Sequence, residues 1–306
     1  MVSGTPVRMG ALALLWGSGF LWIKVALAGL TPVQITLARC VLGAAALLVL
    51  AFCTSQRVPR GRSAWLHLGV AAFFCNVAPF TLYALGERTV DSGVAGVLAA
   101  TNPLWTAAIG FVLRSDRARL GGVLLGFAGT LLIFAPWRHG AVDGWGALAL
   151  LGAAASQAVG FVYMARYLVG KSTATIALAA SQLALAAGLS ALALPLGGLT
   201  PVQAAPSVLI AVTVLGTCGT GVSFYLNYRI IADEGATTAA TVGYLVPVVS
   251  VALGAAFLGE HVSPRLLAGM AVVLAGVALT RQSRRSVLSQ SRGVSLKSHG
   301  VDDSCF

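Results

Sequence analysis

The chain is 306 residues long, 58% hydrophobic and only 9% charged, with a net charge of +11. A soluble domain carries about 25% charged residues, so a water-soluble globular fold is excluded. A membrane β-barrel is excluded too, because the apolar runs are about twenty residues long whereas barrel strands alternate over about ten.

Ten helical spans are predicted in chain order: 8–28, 33–53, 63–86, 91–113, 119–135, 144–168, 174–196, 207–231, 236–258 and 264–281. A cleaved signal peptide does not suit the first span, because its apolar run is long, Lys24 interrupts it and no A-x-A-like site follows. With the N-terminus inside, fifteen basic residues fall in cytoplasmic segments, among them Arg57, Arg60, Arg62, Arg114, Arg117 and Arg119. Three (Arg88, Arg138 and Arg265) fall outside, and Lys24 and Arg39 lie within spans. This asymmetry fixes the orientation and accounts for the basic charge without nucleic acid. The expected location is the bacterial inner (plasma) membrane with both termini cytoplasmic.

The stretch from Phe224 to Thr280 has a weaker counterpart between Phe80 and Phe134. Each has aromatic residues closing one span, a proline inside the next (Pro103, Pro247), a corner, and two glycines seven apart in the last, Gly122 with Gly129 and Gly269 with Gly276. Two five-span units are predicted, 1–137 and 138–281, followed by a Ser-rich charged tail, 282–306, expected to be disordered. Five is odd, so the second unit enters the membrane from the opposite side. Inverted repeats of this kind are the architecture of secondary transporters.

Within the spans no carboxylate lies at mid-membrane; Glu87, Asp91, Asp233, Glu234 and Glu260 sit at span ends. The cysteines show no CxxC or metal-ligand spacing and read as apolar fillers, and neither a metal cluster nor a nucleophile–base pair is apparent. Polar and aromatic residues do align at helical spacing. Asn76, Phe80, Tyr83 and Glu87 share a face of the third span, and Asn102, Trp105 and Thr106 share one around Pro103. Trp16, Phe20 and Lys24 form a stripe in the first span. Gln157 adjoins Ser156, Gly160 and Tyr163 in the sixth, Thr220, Phe224 and Asn227 align in the eighth, and Thr237, Thr241 and Tyr244 approach Pro247 in the ninth. Asn or Gln facing lipid is costly, so these faces point inward, either to bond helices together or to line a cavity. The prolines, as helix breaks, favour the cavity.

Lys24 and Arg39 have three open readings: snorkelling outward, pairing with a carboxylate such as Glu87, or attracting an anionic substrate group. Gly122, Gly126 and Gly129 form a stripe for close helix packing, which leaves a homodimer open.

The residues Trp16-Gly17-Ser18, Phe20 and Lys24, Leu37-Ala38-Arg39, Tyr83-Ala84-Leu85 and Asn102-Pro103 resemble the drug/metabolite transporters of the EamA type. So do Tyr244-Leu245-Val246-Pro247, Leu258-Gly259-Glu260 and the final glycine pair. The first-half corner departs from that pattern, reading Leu113-Arg114-Ser115-Asp116. The resemblance implies an all-α integral membrane fold, with ten transmembrane helices in two inverted five-helix repeats around a central cavity. It also implies export of amino acids, other metabolites or toxic compounds in many members.

The expected function is therefore secondary transport of a small molecule, with no cofactor. Trp16, Asn76, Tyr83, Asn102, Trp105, Gln157, Asn227 and Tyr244 are the expected substrate contacts, through stacking and amide hydrogen bonds. Glu87 and Glu260 are the candidates for proton coupling. Import, a channel or scaffold, and an intramembrane enzyme are the competing readings; the last lacks the groups it needs.

Overall fold

A computed structural model describes residues 5–56, 58–114, 120–134, 144–168, 174–239, 242–243, 245–276 and 278–279. Tyr244, Thr241, the Ser115–Asp116 corner and the 282–306 tail lie outside the described residues. The architecture is all-helical, with no strand among the described residues. Helix α1 is Thr5–Ala26, α2 Pro32–Cys53, and α3 Arg62–Gly86 with a π-helical segment at Phe73–Val77. Helix α4 is Ser92–Ala99, α5 Asn102–Arg114, α6 Leu120–Phe134, α7 Gly144–Tyr167 and α8 Thr175–Leu192. Helix α9 is Pro206–Ala239 with a π segment at Thr217–Val222, α10 is Val246–Leu258 and α11 Pro264–Gly276. Six of these, α1, α2, α3, α7, α8 and α9, are long and apolar enough to cross a membrane by themselves.

Pro103 and Pro247 stand at helix breaks: the span is broken before each, and the proline lies in the first turn of α5 or α10. There its missing N–H has no helical partner to lose. Two expectations are corrected: the gap between the predicted spans 207–231 and 236–258 is helical, since the α-helix that begins at Ser223 runs on to Ala239. Asp233 supports it through ion pairs to Arg229, at 3.4 Å and one turn away, and to Arg8 of α1 at 2.9 Å. Finally, Asn76 and Tyr83 do not share a partner helix. The wider π turn between them shifts the phase, and Asn76 faces α8 while Tyr83 faces α7.

Lipid does not drive helices together as water does, so packing and polar contacts must do it. Glycines provide the close approaches. A side chain at Gly17 would strike Val249 of α10, one at Gly96 would strike Ser250, and one at Gly276 would strike the Gly126 backbone. The stripe on α6 thus meets the glycine pair of α11 within this chain. Large apolar side chains such as Phe52, Trp145, Leu192 and Phe257 remain exposed, as a lipid-facing surface requires.

Helix ends are fixed by specific caps. Thr31 and Gln34 form a reciprocal capping box at α2, and Gln34 Nε2 also donates to the Gly198 and Thr200 carbonyls. At α4 the Asp91 side chain makes no capping bond. Glu260 takes that role from a distance: its oxygens accept from the Ser92 and Gly93 amides at 2.7 and 2.8 Å. Gly259, at φ 66°, makes the left-handed turn that ends α10 and brings Glu260 round. The Leu-Gly-Glu corner is therefore an anion placed on a helix N-terminus, where the macrodipole favours it.

Candidate binding site in the bundle interior

Four expected contact residues meet where the span α4–α5 is broken. Asn102 opens α5, and its Nδ2 donates to Gln157 Oε1 at 3.4 Å and to the Ala154 carbonyl at 3.3 Å. Tyr83 Oη donates to the same Gln157 oxygen at 3.4 Å. The Tyr83 ring meets Phe20 edge-on at 5.6 Å, and Trp16 of α1 stacks over Phe161 of α7 at 6.5 Å. Helices α1, α3, α5 and α7 thus bring together an aromatic wall and two amides. Gly160 lets α7 touch the π segment of α3, where Ser156 Oγ donates to the Phe74 carbonyl at 3.0 Å. That bond uses a carbonyl in the non-α stretch, which helps to stabilise the π turn.

The other expected contacts lie elsewhere. Trp105 turns its ring edge-on to Phe127 of α6 at 4.8 Å, and its buried Nε1 has no partner. Asn227 is buried with Nδ2 unpaired. Asn76 belongs to a separate network: Gln182 Nε2 donates to Asn76 Oδ1 at 2.7 Å, Tyr228 Oη donates to Gln182 Oε1 at 2.8 Å, and Asn76 Nδ2 has no partner. Gln182 and Tyr228 escaped the sequence reading. The signal for Gln182 was there, a lone amide in the Ala- and Leu-rich α8.

A second contact sits at the matching place. Helices α3 and α9 each begin with 11 α-helical residues before their π segment. Laying Phe73 on Thr217 puts Asn76 on Thr220, Phe80 on Phe224, Tyr83 on Asn227 and Pro103 on Pro247. Phe80 and Phe224 touch each other edge-on at 6.2 Å. Arg39 and Gln182 are each the eighth residue of their helices, α2 and α8. As Gln182 bonds to Asn76, so Arg39 Nε donates to Thr220 Oγ1 at 3.0 Å, with its guanidinium 3.6 Å from the centre of the Phe80 ring.

The basic and acidic groups at one end now have definite roles. Lys24 Nζ donates to the Glu87 and Val90 carbonyls at 2.7 and 2.9 Å, so it caps the end of α3. Arg39 turns inward and is 6% exposed, which rules out snorkelling. Glu87, just past α3, is fully buried with neither oxygen bonded. Burial pushes its carboxyl well above the usual range, a shift that Lys24 opposes. Glu260, in contrast, has both oxygens engaged by amides. A cleft of about 240 Å³ opens at this end between Leu27, Thr31, Gln34, Arg88, Thr200 and Gln203.

The EamA-like transporter family matches twice, over residues 9–135 and 144–282. The chain belongs to the EamA-like transporter family. It is 28% identical to the uncharacterized transporter YdfC of Bacillus subtilis over 272 residues, 87% of either chain. To the uncharacterized inner membrane transporter YedA of Escherichia coli K12 it is 26% identical over 279 residues, 88% of either chain. A solved crystal structure at 24% identity superposes with a TM-score of 0.68, covering 93% of this chain and 99% of that one, which supports the fold. The Tyr83–Gln157–Asn102 group is a polar, hydrogen-bonded cluster inside the helix bundle.

Proposed function

We propose that this EamA-like protein is a secondary transporter that exports a small polar or amphipathic organic molecule by alternating access. Its halves, 1–137 and 138–281, would be inverted five-span repeats in the plasma membrane with both termini in the cytoplasm. The observation that carries this reading is the convergence of Trp16, Tyr83, Asn102 and Gln157 beside a broken span. Broken spans place backbone polar groups inside the bilayer, which is tolerable only around a protein-lined or wet site. The paired π segments, the breaks before Pro103 and Pro247 and the two family matches support two equivalent halves. Glu87 is the coupling group in this reading. Neither of its oxygens has a hydrogen-bond partner, whereas both Glu260 oxygens are committed to the amides that open α4.

A single cysteine placed at Ala99, next to the break, tests the alternation once the native cysteines are replaced. Membrane-impermeant maleimide should label it from either face of sealed vesicles. Labelling from one face alone contradicts alternation.

A further inference from the structure

We infer that Arg39 is an anion-binding residue of the transport path, and that the substrate carries a carboxylate beside a flat apolar body. The inference rests on the transporter reading and adds a substrate class to it. Arg39 is the buried cation among the described residues. Its guanidinium has five N–H donors and cannot lose its charge. Among the described residues one hydroxyl, Thr220 Oγ1, accepts from it, and one ring face, Phe80, covers it. The ion pairs of the described residues are Arg8 and Arg229 with Asp233, at the other end of the bundle. Glu87 is near enough to be felt electrostatically, yet it forms no ion pair with Arg39.

A buried charge with so few partners is costly, and removing its remaining partner is costlier still. The missing partner is an anion with two oxygens in a plane, which fits the guanidinium fork. The surroundings describe the rest of the ligand. Tyr83 lies one turn beyond Phe80 on α3, and Phe20, Trp16 and Phe161 continue the aromatic surface toward Gln157 and Asn102. A carboxylate at Arg39 would lay an apolar body along that wall, with polar groups of its far end at the amides.

Matching positions supply the control. Gln182 occupies in α8 the place of Arg39 in α2, and the fold accepts it there. Arg39→Gln is therefore a substitution that the architecture already supports, and a melting curve checks it. The probes are benzoate and benzamide, which share shape but differ in charge, titrated into purified full-length protein and followed by calorimetry. Wild-type protein should bind benzoate about tenfold or more tightly than benzamide, the effect of one charge-assisted hydrogen bond. Arg39→Gln should abolish that preference at an unchanged melting temperature, and Arg39→Lys should restore part of it. Equal binding of the two probes to wild type, no benzoate binding, or a preference that survives Arg39→Gln overturns the inference. Benzoate selectivity without any substrate exchange in vesicles would instead fell the transporter reading and leave the anion site standing.

Discussion

Arg39 reaches from α2 into the π segment of α9, and Gln182 reaches from α8 into the π segment of α3, from the same position in each helix. The amide contact is neutral, with both ends of the Gln182 amide engaged. Gln182 donates to Asn76, accepts from Tyr228, and has Ser181 and Leu183 packed beside it in the buried interior. The guanidinium contact is an open one, with one hydrogen-bond acceptor among the described residues for a five-donor cation. Where geometry repeats and chemistry does not, the difference separates support from function. A neutral contact holds helices together, while a buried charge with few partners leaves affinity for something that comes and goes.

Four changes probe that comparison. Thr220→Val should have the largest effect, about 3 kcal/mol of lost stability. It strands a buried cation and also frees the Leu215 carbonyl, which Thr220 satisfies at 2.9 Å. Equilibrium unfolding in detergent would measure it. Asn102→Ala removes the donor that ties α5 to Gln157 and should slow exchange about tenfold, or about 1.4 kcal/mol, with the protein still in the membrane. Normal exchange would remove Asn102 from the site. Tyr228→Phe leaves Gln182 without its donor and should cost about 1 kcal/mol in the same unfolding assay. The smallest effect belongs to the double change Arg39→Gln with Thr220→Asn, which writes the neutral pair into the charged half. Stability should stay within about 1 kcal/mol of wild type, because replacing a buried charge by a hydrogen-bonded neutral pair offsets the loss of the Thr220 hydroxyl from the Leu215 carbonyl. A large loss would mean that the two contacts are not equivalent.

Much of this was legible in the sequence. Composition and apolar run length specify an all-helical membrane fold, and helical spacing puts Trp16, Tyr83, Asn102 and Gln157 on inward faces. What was hidden is what depends on phase. A π turn adds a residue without leaving a mark in the hydrophobic pattern, so Asn76 was placed on the face of Tyr83 although it serves a different helix. The prolines signalled breaks, but not that each would open a new helix rather than bend an old one. Trp105 shares a nominal face with Asn102, yet its size let it pack against Phe127 instead. Glu260 read as a titratable group, and only the three-dimensional turn at Gly259 reveals that it caps α4.

Counterflow in proteoliposomes tests the central claim most directly. Purified protein is reconstituted, loaded with unlabelled pools of aromatic carboxylates, amino acids, neutral metabolites and cationic drugs, and exposed to labelled counterparts, with and without a pH gradient. The account predicts saturable exchange of a carboxylate-bearing pool, a response to the gradient, and loss of that response in Glu87→Gln. Flux that rises without saturation, or no exchange from any pool by folded protein, would contradict it.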